Sequence, residues 1–498
     1  MLHIIRKDVS FKFVGELFSR VAFLLFFVIV GRKLGAAEFG SLNLAITTAM
    51  IVGIIFLDPG LNMAAVQRVI SKPESANDDA GAVLAFKLFA GIPLVLLALI
   101  LCGRLMGTRL PNMYIMLLAG VYTGLYAALE YICYVTNAYH RIELEAAFKV
   151  FNRLLVVALG VVGLLLRSVE FVLVGMCLAT FISFVVAWYA VRRSCLRVPL
   201  KWNTNAIKIL LKAGLPMAGT IIISATYLKW DLVLLTAFRF DREQIGWYAS
   251  AFKCVEALSA LPSMLGAALF PTLVQLRLED PVKFSRLLRL STKLVMTVAI
   301  PISLFVSAFS RPLVTLIYGP QFLPGALVLS LLIWCIVPMF LYFFLIWVNV
   351  AAGHASHNMY AAIGALIMGL VVNILLLPRI GFMGAAWAAL LSNIAFAIVC
   401  TIKTSQLFRQ ARVPQLLLQF CASGIVTGAA LLYLPFSSIA RVAVAIGVYA
   451  LSLVLFRILE VDDWSLMTRT LGLRSMGGQQ VATVPASAGR EPIELEMQ

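Results

Sequence analysis

The sequence predicts an all-α polytopic membrane protein with about fourteen transmembrane helices. Of its 498 residues, 62% are hydrophobic and only 13% are charged, a composition far outside the range of soluble domains. Apolar runs of about 20 residues, the length needed to cross a bilayer, recur from residue 12 to residue 459. Short polar breaks separate them. These observations exclude a soluble globular domain as the main body of the chain.

Membrane topology explains most of the net charge of +17. With the N-terminus in the cytoplasm, most Lys and Arg residues fall in cytoplasmic segments, as the positive-inside rule requires, and the C-terminus is cytoplasmic too. The basic segments 191–214 and 274–293 then lie beside anionic lipid, so we expect no nucleic-acid partner. The first apolar run lacks a small-residue cleavage site and is interpreted as a retained helix.

A faint internal repeat divides the chain. Residues 30–46 resemble residues 237–252, with Gly40 aligned to Gly246. About six spans separate the copies, and because six is even, both copies enter the membrane in the same direction. The repeat therefore predicts two parallel six-helix lobes. The predicted units are an N-terminal lobe (1–191), a basic cytoplasmic linker with an amphipathic helix (192–212), a C-terminal lobe (213–403), an additional helix pair (404–459) and a polar, disordered cytoplasmic tail (460–498).

Ionisable side chains interrupt the predicted spans, chiefly in the first helices of each lobe. A charge at the bilayer centre costs about 3 kcal/mol, so most of these groups must face a wet cavity or one another. Lys149 and Arg153 lie near a span end, where a long side chain can reach the interface. The others are Glu16, Arg20, Asp58, Lys87, Glu130, Lys229, Asp231, Lys253 and Glu256.

Depth along the spans divides the charged residues into two groups, which we call the inner and outer stations. Counting about 1.5 Å per residue from the start of each span, the charges before residue 140 fall in the cytoplasmic half and those after residue 220 in the outer half. This layout suits an anionic substrate passed from an inner station to an outer one. Lys229 and Asp231, two residues apart, cannot face each other on a helix, so each needs a partner elsewhere.

Two pairs of oppositely charged residues within single helices can each be interpreted in two ways. Glu16 precedes Arg20 by four residues, and Lys253 precedes Glu256 by three, and both spacings favour an ion pair within one helix. Each pair is either structural or part of the cavity lining.

Asp58 lies beside Pro59 and Gly60 in the middle of an apolar run. Pro59 and Gly60 interrupt the second span, and a broken helix frees backbone groups that need water or a ligand. Asp58 at such a break would take up a proton or a sodium ion, or would neutralise Arg20 or Lys87 while the substrate is absent. The alternative is a kink whose carboxylate caps the restarted helix.

The fourth span carries a tyrosine stripe. Tyr122, Tyr126, Glu130 and Tyr134 follow one another at intervals of four residues and therefore share one face. On a wet surface, tyrosines with a carboxylate suit stacking on sugar rings and hydrogen bonding to sugar hydroxyls. The alternative is interhelical packing together with an interfacial aromatic belt.

No catalytic, metal or cofactor site is expected. The eight cysteines show neither metal-ligand spacing nor a disulfide pattern, and no loop is long enough for a soluble catalytic domain. A polyprenyl-dependent glycosyltransferase, polymerase or ligase would carry an acidic motif or a large domain in an outward loop. The first outward loop, GRKLGAAEFG, contains a single acid. We therefore expect a protein that is not an enzyme, with coupling to H⁺ or Na⁺ as the open question.

Four stretches resemble the polysaccharide-exporter branch of the superfamily that also contains the multidrug and toxin extrusion transporters. They are spread over about residues 10–405, and their order and spacing together carry the resemblance. The stretches are VGRKLGAAEFGSLNLA with LDPGLNMAAVQR (30–68), YLKWDLVLLTAFRFDREQIGWYASAFKCVEALSALP (227–262), LIYGPQFLPGALVLSLL (316–332) and NILLLPRIGFMGAAWAALLSN (373–393).

The resemblance implies a flippase of the bacterial inner membrane that carries undecaprenyl-pyrophosphate-linked oligosaccharide repeat units of O-antigen or exopolysaccharide. Such transporters use alternating access between two six-helix lobes and a cationic central cavity, and many are driven by a proton or sodium gradient. By position within the helices, Arg20, Lys87, Lys229 and Lys253 match the cationic lining. The implied partners are the lipid-linked oligosaccharide, membrane lipids, and the polysaccharide polymerase and export machinery.

The alternative function is ion-coupled export of small molecules by a transporter of the multidrug and toxin extrusion type, which shares the scaffold. Cationic drugs are disfavoured because basic residues outnumber acidic ones within the spans. The predicted substrate-binding residues are Arg20, Lys87, Lys229, Lys253, Tyr122, Tyr126 and Tyr134. The residues predicted to serve ion coupling or charge balance are Glu16, Asp58, Glu130, Asp231 and Glu256.

Overall fold

The computed structural model consists of helices joined by short turns. It describes residues 2–71, 74–107, 110–139, 141–194, 200–402, 404–433, 438–456 and 458. Side chains are described from residue 18 onward, except at 106, 142, 216, 217, 220, 224, 228, 260, 264, 267, 268, 271, 278, 432, 433 and 438–443. The predicted disordered tail lies outside the described residues.

The described residues form twenty α-helices, with a π-helical turn at Lys87–Gly91 and 3₁₀ turns at Pro320–Phe322 and Ile333–Cys335. The helices are α1 (Leu2–Leu34), α2 (Ala36–Leu57), α3 (Leu61–Ser71), α4 (Ala76–Phe86), α5 (Ile92–Met106), α6 (Met113–Ala138), α7 (Ile142–Leu164), α8 (Val169–Ser194), α9 (Thr204–Ala237), α10 (Arg242–Leu258), α11 (Ala260–Glu279), α12 (Pro281–Ala308), α13 (Ser310–Ile317), α14 (Gly325–Leu332), α15 (Ile336–Ala351), α16 (Ser356–Ile380), α17 (Met383–Ile402), α18 (Ser405–Gln410), α19 (Val413–Tyr433) and α20 (Ser438–Leu455).

Ten helical segments of the described chain are long and apolar enough to cross a membrane. Large apolar side chains remain exposed along several of them, as expected where lipid is the solvent. The prediction of an all-α chain that crosses the membrane many times is confirmed. The segments are Ala36–Leu57, Ala76–Leu105, Met113–Ala138, Glu143–Leu164, Val169–Ser194, Pro281–Ala308, Gly325–Ala351, Ser356–Ile380, Met383–Ile402 and Val413–Leu431.

A break is present at Pro59 and Gly60, but it follows the span instead of interrupting it, because the 22 residues of α2 already form a complete apolar segment. Helix α2 ends at Leu57, Gly60 adopts a φ of +79°, and α3 begins at Leu61. One Asp58 carboxylate oxygen accepts the backbone N–H of Asn62 at 2.9 Å, and the other accepts the Asn62 side-chain amide at 2.7 Å. The carboxylate therefore caps the restarted helix, which is what the kink interpretation requires.

Helix α9 begins earlier than the predicted C-terminal unit. The Asn203 side chain accepts the backbone N–H groups of Asn205 and Ala206, both at 3.1 Å, and so caps the first turn. The helix then continues without a break to Ala237. The amphipathic segment expected within 192–212 is therefore the first part of this long helix, and the boundary expected after residue 212 falls inside it.

Two sets of helices form most of the contacts. Within the first set, α1 to α8, α1 packs on α7, α7 and α6 pack on α8, and α2 packs on α5 and α6. Within the second, α9 to α17, α16 packs on α17 and α9, and α15 packs on α11, α12 and α17. The sets meet where α2 packs on α9 and α10, while α19 and α20 pack on each other and on α12.

The two glycines that the repeat aligns pack against each other's helices. A Cβ on Gly40 would overlap the carbonyl oxygen of Arg242, and a Cβ on Gly246 would overlap that of Ala36. Both pairs differ by 206 in number (246 minus 40 and 242 minus 36), so the contact is symmetric under exchange of the repeats. Glycine is needed here because the α2 and α10 backbones touch.

A second backbone contact joins the two sets of helices at the turn between α2 and α3. A Cβ on Gly60 would overlap the carbonyl oxygen of Gly214 in α9, and one on Gly214 would lie 2.7 Å from the carbonyl oxygen of Gly60. Glycine contacts therefore hold the second set of helices against the N-terminal part of α2 and against the turn that follows the C-terminus of α2.

Replacing Gly60 by alanine should lower the melting temperature of the purified protein more than the same change at Gly353. The two glycines have nearly the same positive φ, +79° and +80°, so both variants carry the strain of an alanine with positive φ, about 1–2 kcal/mol. At Gly60 the methyl group also meets the Gly214 backbone, which adds about 1–3 kcal/mol of overpacking. At Gly353 it meets nothing within 4 Å. Equal losses in the two variants would show that the close approach to Gly214 does not exist.

Candidate functional site

A cavity of about 590 Å³ lies where the two sets of helices meet. Its walls come from α1, α2, α6, α7, α9 and α10, together with the Asp58 turn, the first turn of α3 and the π-helical turn. The walls near the charged groups also include the small polar side chains Asn43, Thr47, Asn62 and Thr123. The cavity is thus lined largely by apolar side chains, among which charged and small polar side chains are set.

Charged and aromatic side chains predicted from the sequence converge on this cavity. Both predicted stations contribute to one continuous lining, so the two stations are not separate sites. The lining cations are Arg20, Lys87, Lys149, Arg153, Lys229 and Lys253; the carboxylates are Asp58, Glu130 and Glu256; and the tyrosines are Tyr122, Tyr126 and Tyr134. Of the other predicted site residues, Glu16 lies in α1 with its side chain outside the described part, and Asp231 lies elsewhere.

Glu256 bridges two lysines on different helices. Its Oε1 atom lies 3.1 Å from Nζ of Lys229 in α9, and its Oε2 atom lies 2.7 Å from Nζ of Lys253 in α10. The Lys253 ammonium also lies 4.5 Å from the centre of the Phe27 ring in α1, a cation–π distance. One carboxylate thus balances two ammonium groups, and this end of the cavity keeps an excess positive charge.

Lys87 is fully buried in the π-helical turn between α4 and α5. Such turns widen a helix locally and are frequent at functional sites. Its ammonium group has no hydrogen-bond partner among the described residues and lies 5.8 Å from the centre of the Tyr131 ring. Asp58 and Glu130 are close enough to act on it electrostatically. Lys87 is therefore a desolvated cation held near two carboxylates without a hydrogen bond to either.

The tyrosine stripe of α6 follows one wall of the cavity. The rings of Tyr122 and Tyr126 stack with centres 6.2 Å apart and planes inclined by 27°. Glu130 and Tyr134 continue the wall toward Asp58 and Lys149, which lie within electrostatic range of both. Both the stacked faces and the carboxylate thus border the open space.

Arg153 is a site residue that the sequence interpretation set aside. Its guanidinium lies in the cavity wall, 4.0 Å from the centre of the Phe23 ring and 5.5 Å from that of Tyr126. Lys149 also lines the cavity and pairs with Glu145 at 2.8 Å. The helical spacing of the polar residues Glu145, Lys149 and Arg153 was the signal for this inward-facing stripe.

Asp231 occupies a second polar cluster inside the second set of helices. Its carboxylate accepts the Tyr248 hydroxyl at 2.9 Å and the Asn373 side-chain amide at 2.9 Å, and the residue is 8% exposed. Among the described residues no Lys or Arg pairs with it. A cavity of about 20 Å³ lies beside it, bordered also by Ser392 and Asn393. The sequence indicated that Asp231 needed a partner other than Lys229, and these neutral groups are its partners.

The described residues contain no group of three or more His, Cys, Asp or Glu side chains that could hold a metal ion. The described lining of the cavity supplies ammonium, guanidinium, carboxylate and phenol groups. Such a lining binds and orients a ligand through charge and hydrogen bonds.

Comparison with known proteins agrees with this architecture. A family profile described as polysaccharide biosynthesis protein matches residues 5–277, which is more than half of the chain. The chain belongs to this family. No curated protein gave a significant sequence match.

Among solved structures, the lipid II flippase MurJ in an inward closed conformation is similar to this family member with a TM-score of 0.71. The identity is 14%, and the match covers 93% of this chain and 99% of MurJ. An inward-facing multidrug resistance MATE family transporter of the MOP superfamily matches with a TM-score of 0.62, 17% identity, and 78% and 96% of the two chains. A eukaryotic MATE transporter matches with a TM-score of 0.57 and 13% identity, and the match covers 82% of this chain and 97% of the transporter. These likenesses establish the fold, and with the ten apolar segments they describe a multi-pass membrane protein.

Two buried carboxylates outside the main cavity allow a matched test of the charge pattern. Asp231→Asn should raise the melting temperature, because it removes a buried charge that no described cation pairs with. The new side-chain oxygen can still accept from the Asn373 amide, and the Tyr248 hydroxyl oxygen can accept from the new amide nitrogen. Asp79→Asn should lower the melting temperature, because Asp79 pairs with Arg68 at 2.5 Å and the arginine would lose its charged partner. Breaking a buried ion pair in this way lowers the free energy of unfolding by about 3–5 kcal/mol. A loss in both variants would contradict the assignment of Asp231 as a charge without a cation.

Proposed function

We propose that this protein flips undecaprenyl-pyrophosphate-linked oligosaccharide repeat units across the bacterial inner membrane. The observation that carries the proposal is a cavity, enclosed by apolar helices, whose described lining contains more cations than carboxylates. Membership in a polysaccharide biosynthesis family and the fold of a lipid II flippase support the same function.

An anionic headgroup explains why the membrane interior holds so many cations. Lys229 and Lys253 share one carboxylate, and Arg20 and Arg153 add further positive charge to the same walls. In a poorly solvated cavity, excess positive charge is costly until an anion enters. A diphosphate supplies adjacent negative charges and many acceptor oxygens, and therefore complements these groups.

The tyrosine stripe offers a surface for sugars. The stacked Tyr122 and Tyr126 rings present apolar faces, and Glu130 can accept hydrogen bonds from hydroxyl groups. The cavity volume lies within the range of about 300–1,000 Å³ typical of small-molecule sites. We assign the diphosphate to the Lys229 and Lys253 end and the first sugars to the Tyr122 to Tyr134 wall.

Alternating access would arise from two parallel six-helix lobes within a protein of about fourteen spans. The symmetric contact of Gly40 and Gly246 supports this arrangement, because the same surface of each repeat meets the other. Opening would separate α2 from the second set of helices either at Gly40 or at Gly60, and the cavity would face one side at a time. We place both termini in the cytoplasm, where the repeat unit would be assembled. Polymerase and export machinery would act on the repeat unit after flipping.

A proton or sodium ion would drive the cycle. Asp231 is the first candidate, because its carboxylate has only neutral partners in the described residues and lies beside a cavity large enough for one water or ion. Asp58 and Glu130 are further candidates, since both act on Lys87. Taking up a cation at any of these carboxylates changes the charge balance that the substrate meets.

Export of small molecules remains the second candidate because the MATE transporters share this fold. The lining argues against cationic drugs, which would meet Lys229, Lys253 and Arg153 in the same cavity. Resistance to cationic dyes on expression would favour this candidate over the flippase.

Charge-removing and charge-preserving variants of the lining test the proposed function. Arg20→Ala and Lys229→Ala should lower surface polysaccharide about 10-fold or more and trap lipid-linked intermediates on the inner face, because each removes a cation that stabilises the diphosphate. Arg20→Lys and Lys229→Arg should retain export. The measurement is surface polysaccharide together with lipid-linked intermediates in cells that contain equal amounts of each variant in the membrane.

Normal export by all four variants would contradict an anionic substrate in this cavity. Failure of all four, with normal melting temperatures, would show that the geometry of each side chain matters beyond its charge.

A further inference from the structure

The bridge between Glu256 and the two lysines resembles a bound anion more than a structural ion pair. Its two oxygens accept from ammonium groups on different helices, at 3.1 Å from Lys229 and 2.7 Å from Lys253. A phosphate group held between the same lysines would place two of its oxygens in the same way. We propose that Glu256 is an internal place-holder, whose carboxylate occupies in the empty cavity the position that a phosphate of the substrate takes when bound.

The exposure of the three side chains indicates which one can leave. The Glu256 side chain is 34% exposed, whereas Lys229 is 20% and Lys253 is 16% exposed, so the carboxylate is the most open to the cavity. In the structural ion pair of Arg68 and Asp79 the carboxylate is instead the less exposed partner, since the Asp79 side chain is 3% exposed and the Arg68 side chain is 24% exposed.

Lys253 would stay in position after the carboxylate leaves. Its ammonium group lies over the Phe27 ring at 4.5 Å and within 5.9 Å of the Phe23 ring, contacts that do not depend on Glu256. Glu256 and Lys253 lie on the same helix three residues apart, so a rotamer change of the glutamate is enough to free the ammonium. An incoming phosphate would then find the Lys253 ammonium already in place, and Lys229 would exchange its carboxylate partner for a phosphate oxygen.

The place-holder has a consequence for transport. Without it, two ammonium groups would face each other in a poorly solvated cavity, and the empty state would be destabilised. With it, the substrate must compete with a tethered carboxylate, so binding is weakened and release becomes easier. A transporter needs such moderate affinity, because a ligand held too tightly cannot leave. This inference rests on the proposed function, and it makes Glu256 a residue that sets affinity for the diphosphate.

The test is binding of inorganic pyrophosphate to the purified full-length protein, measured by calorimetry at constant ionic strength. Glu256→Gln keeps the size of the side chain and removes the competing charge, so the dissociation constant should fall about 10-fold. Glu256→Asp, whose shorter carboxylate cannot reach both lysines, should tighten binding to a smaller extent and covers the case in which the glutamine variant fails to fold. Glu243→Gln is the matched control, since it makes the same change at an exposed glutamate in the first turn of the same helix, outside the cavity, and its affinity should equal that of the wild type.

Three outcomes are distinguishable. Tighter binding by the Glu256 variants alone supports the place-holder. Unchanged or weaker binding by them overturns it, and the flippase proposal survives if Lys229→Ala still abolishes pyrophosphate binding. Absence of pyrophosphate binding in the wild type and in every variant overturns both the place-holder and the assignment of the diphosphate to this cavity.

Discussion

The cost of an unpaired charge inside a membrane is the constraint on which the rest of this structure depends. Helices that are otherwise apolar carry lysine, arginine and carboxylate side chains, and the fold brings these together around one cavity. Lys253 has a close ion-pair partner in Glu256. Lys87 has no hydrogen-bond partner among the described residues, and the Tyr131 ring and the carboxylates of Asp58 and Glu130 lie near its charge. The shared carboxylate of Lys229 and Lys253 is the feature on which the proposal of an anionic ligand is based.

Close backbone packing gives the cavity its walls. The contact of Gly40 with Gly246, and that of Gly60 with Gly214, bring α2 against the second set of helices without intervening side chains. In lipid, small residues permit this approach, and van der Waals contact then holds the helices together. Because such contacts involve no long side chains or ion pairs, the proposed transport cycle would break and remake them with little rearrangement of side chains.

Sequence reasoning could predict what depends on local pattern. It predicted the all-α membrane class, the break at Pro59 and Gly60, and the set of charged residues from which the lining is drawn. It could not predict that Lys229 and Lys253 share Glu256, since that contact joins two helices whose relative rotation is set by packing. Counting depth from span ends also assigned Arg153 to the interface and separated two stations, because a linear count ignores helix tilt and the reach of long side chains.

The most direct test of the account is flipping by the purified protein in liposomes that contain a fluorescent polyprenyl-pyrophosphate-linked oligosaccharide. The fraction of lipid exposed to an impermeant reagent is measured over time, with a polyprenyl-linked oligosaccharide that lacks the diphosphate as the comparison. The account predicts that the protein makes the inner-leaflet pool of the diphosphate lipid accessible and leaves the comparison lipid protected. Equal protection of both lipids, with protein shown to be folded and inserted, would contradict it.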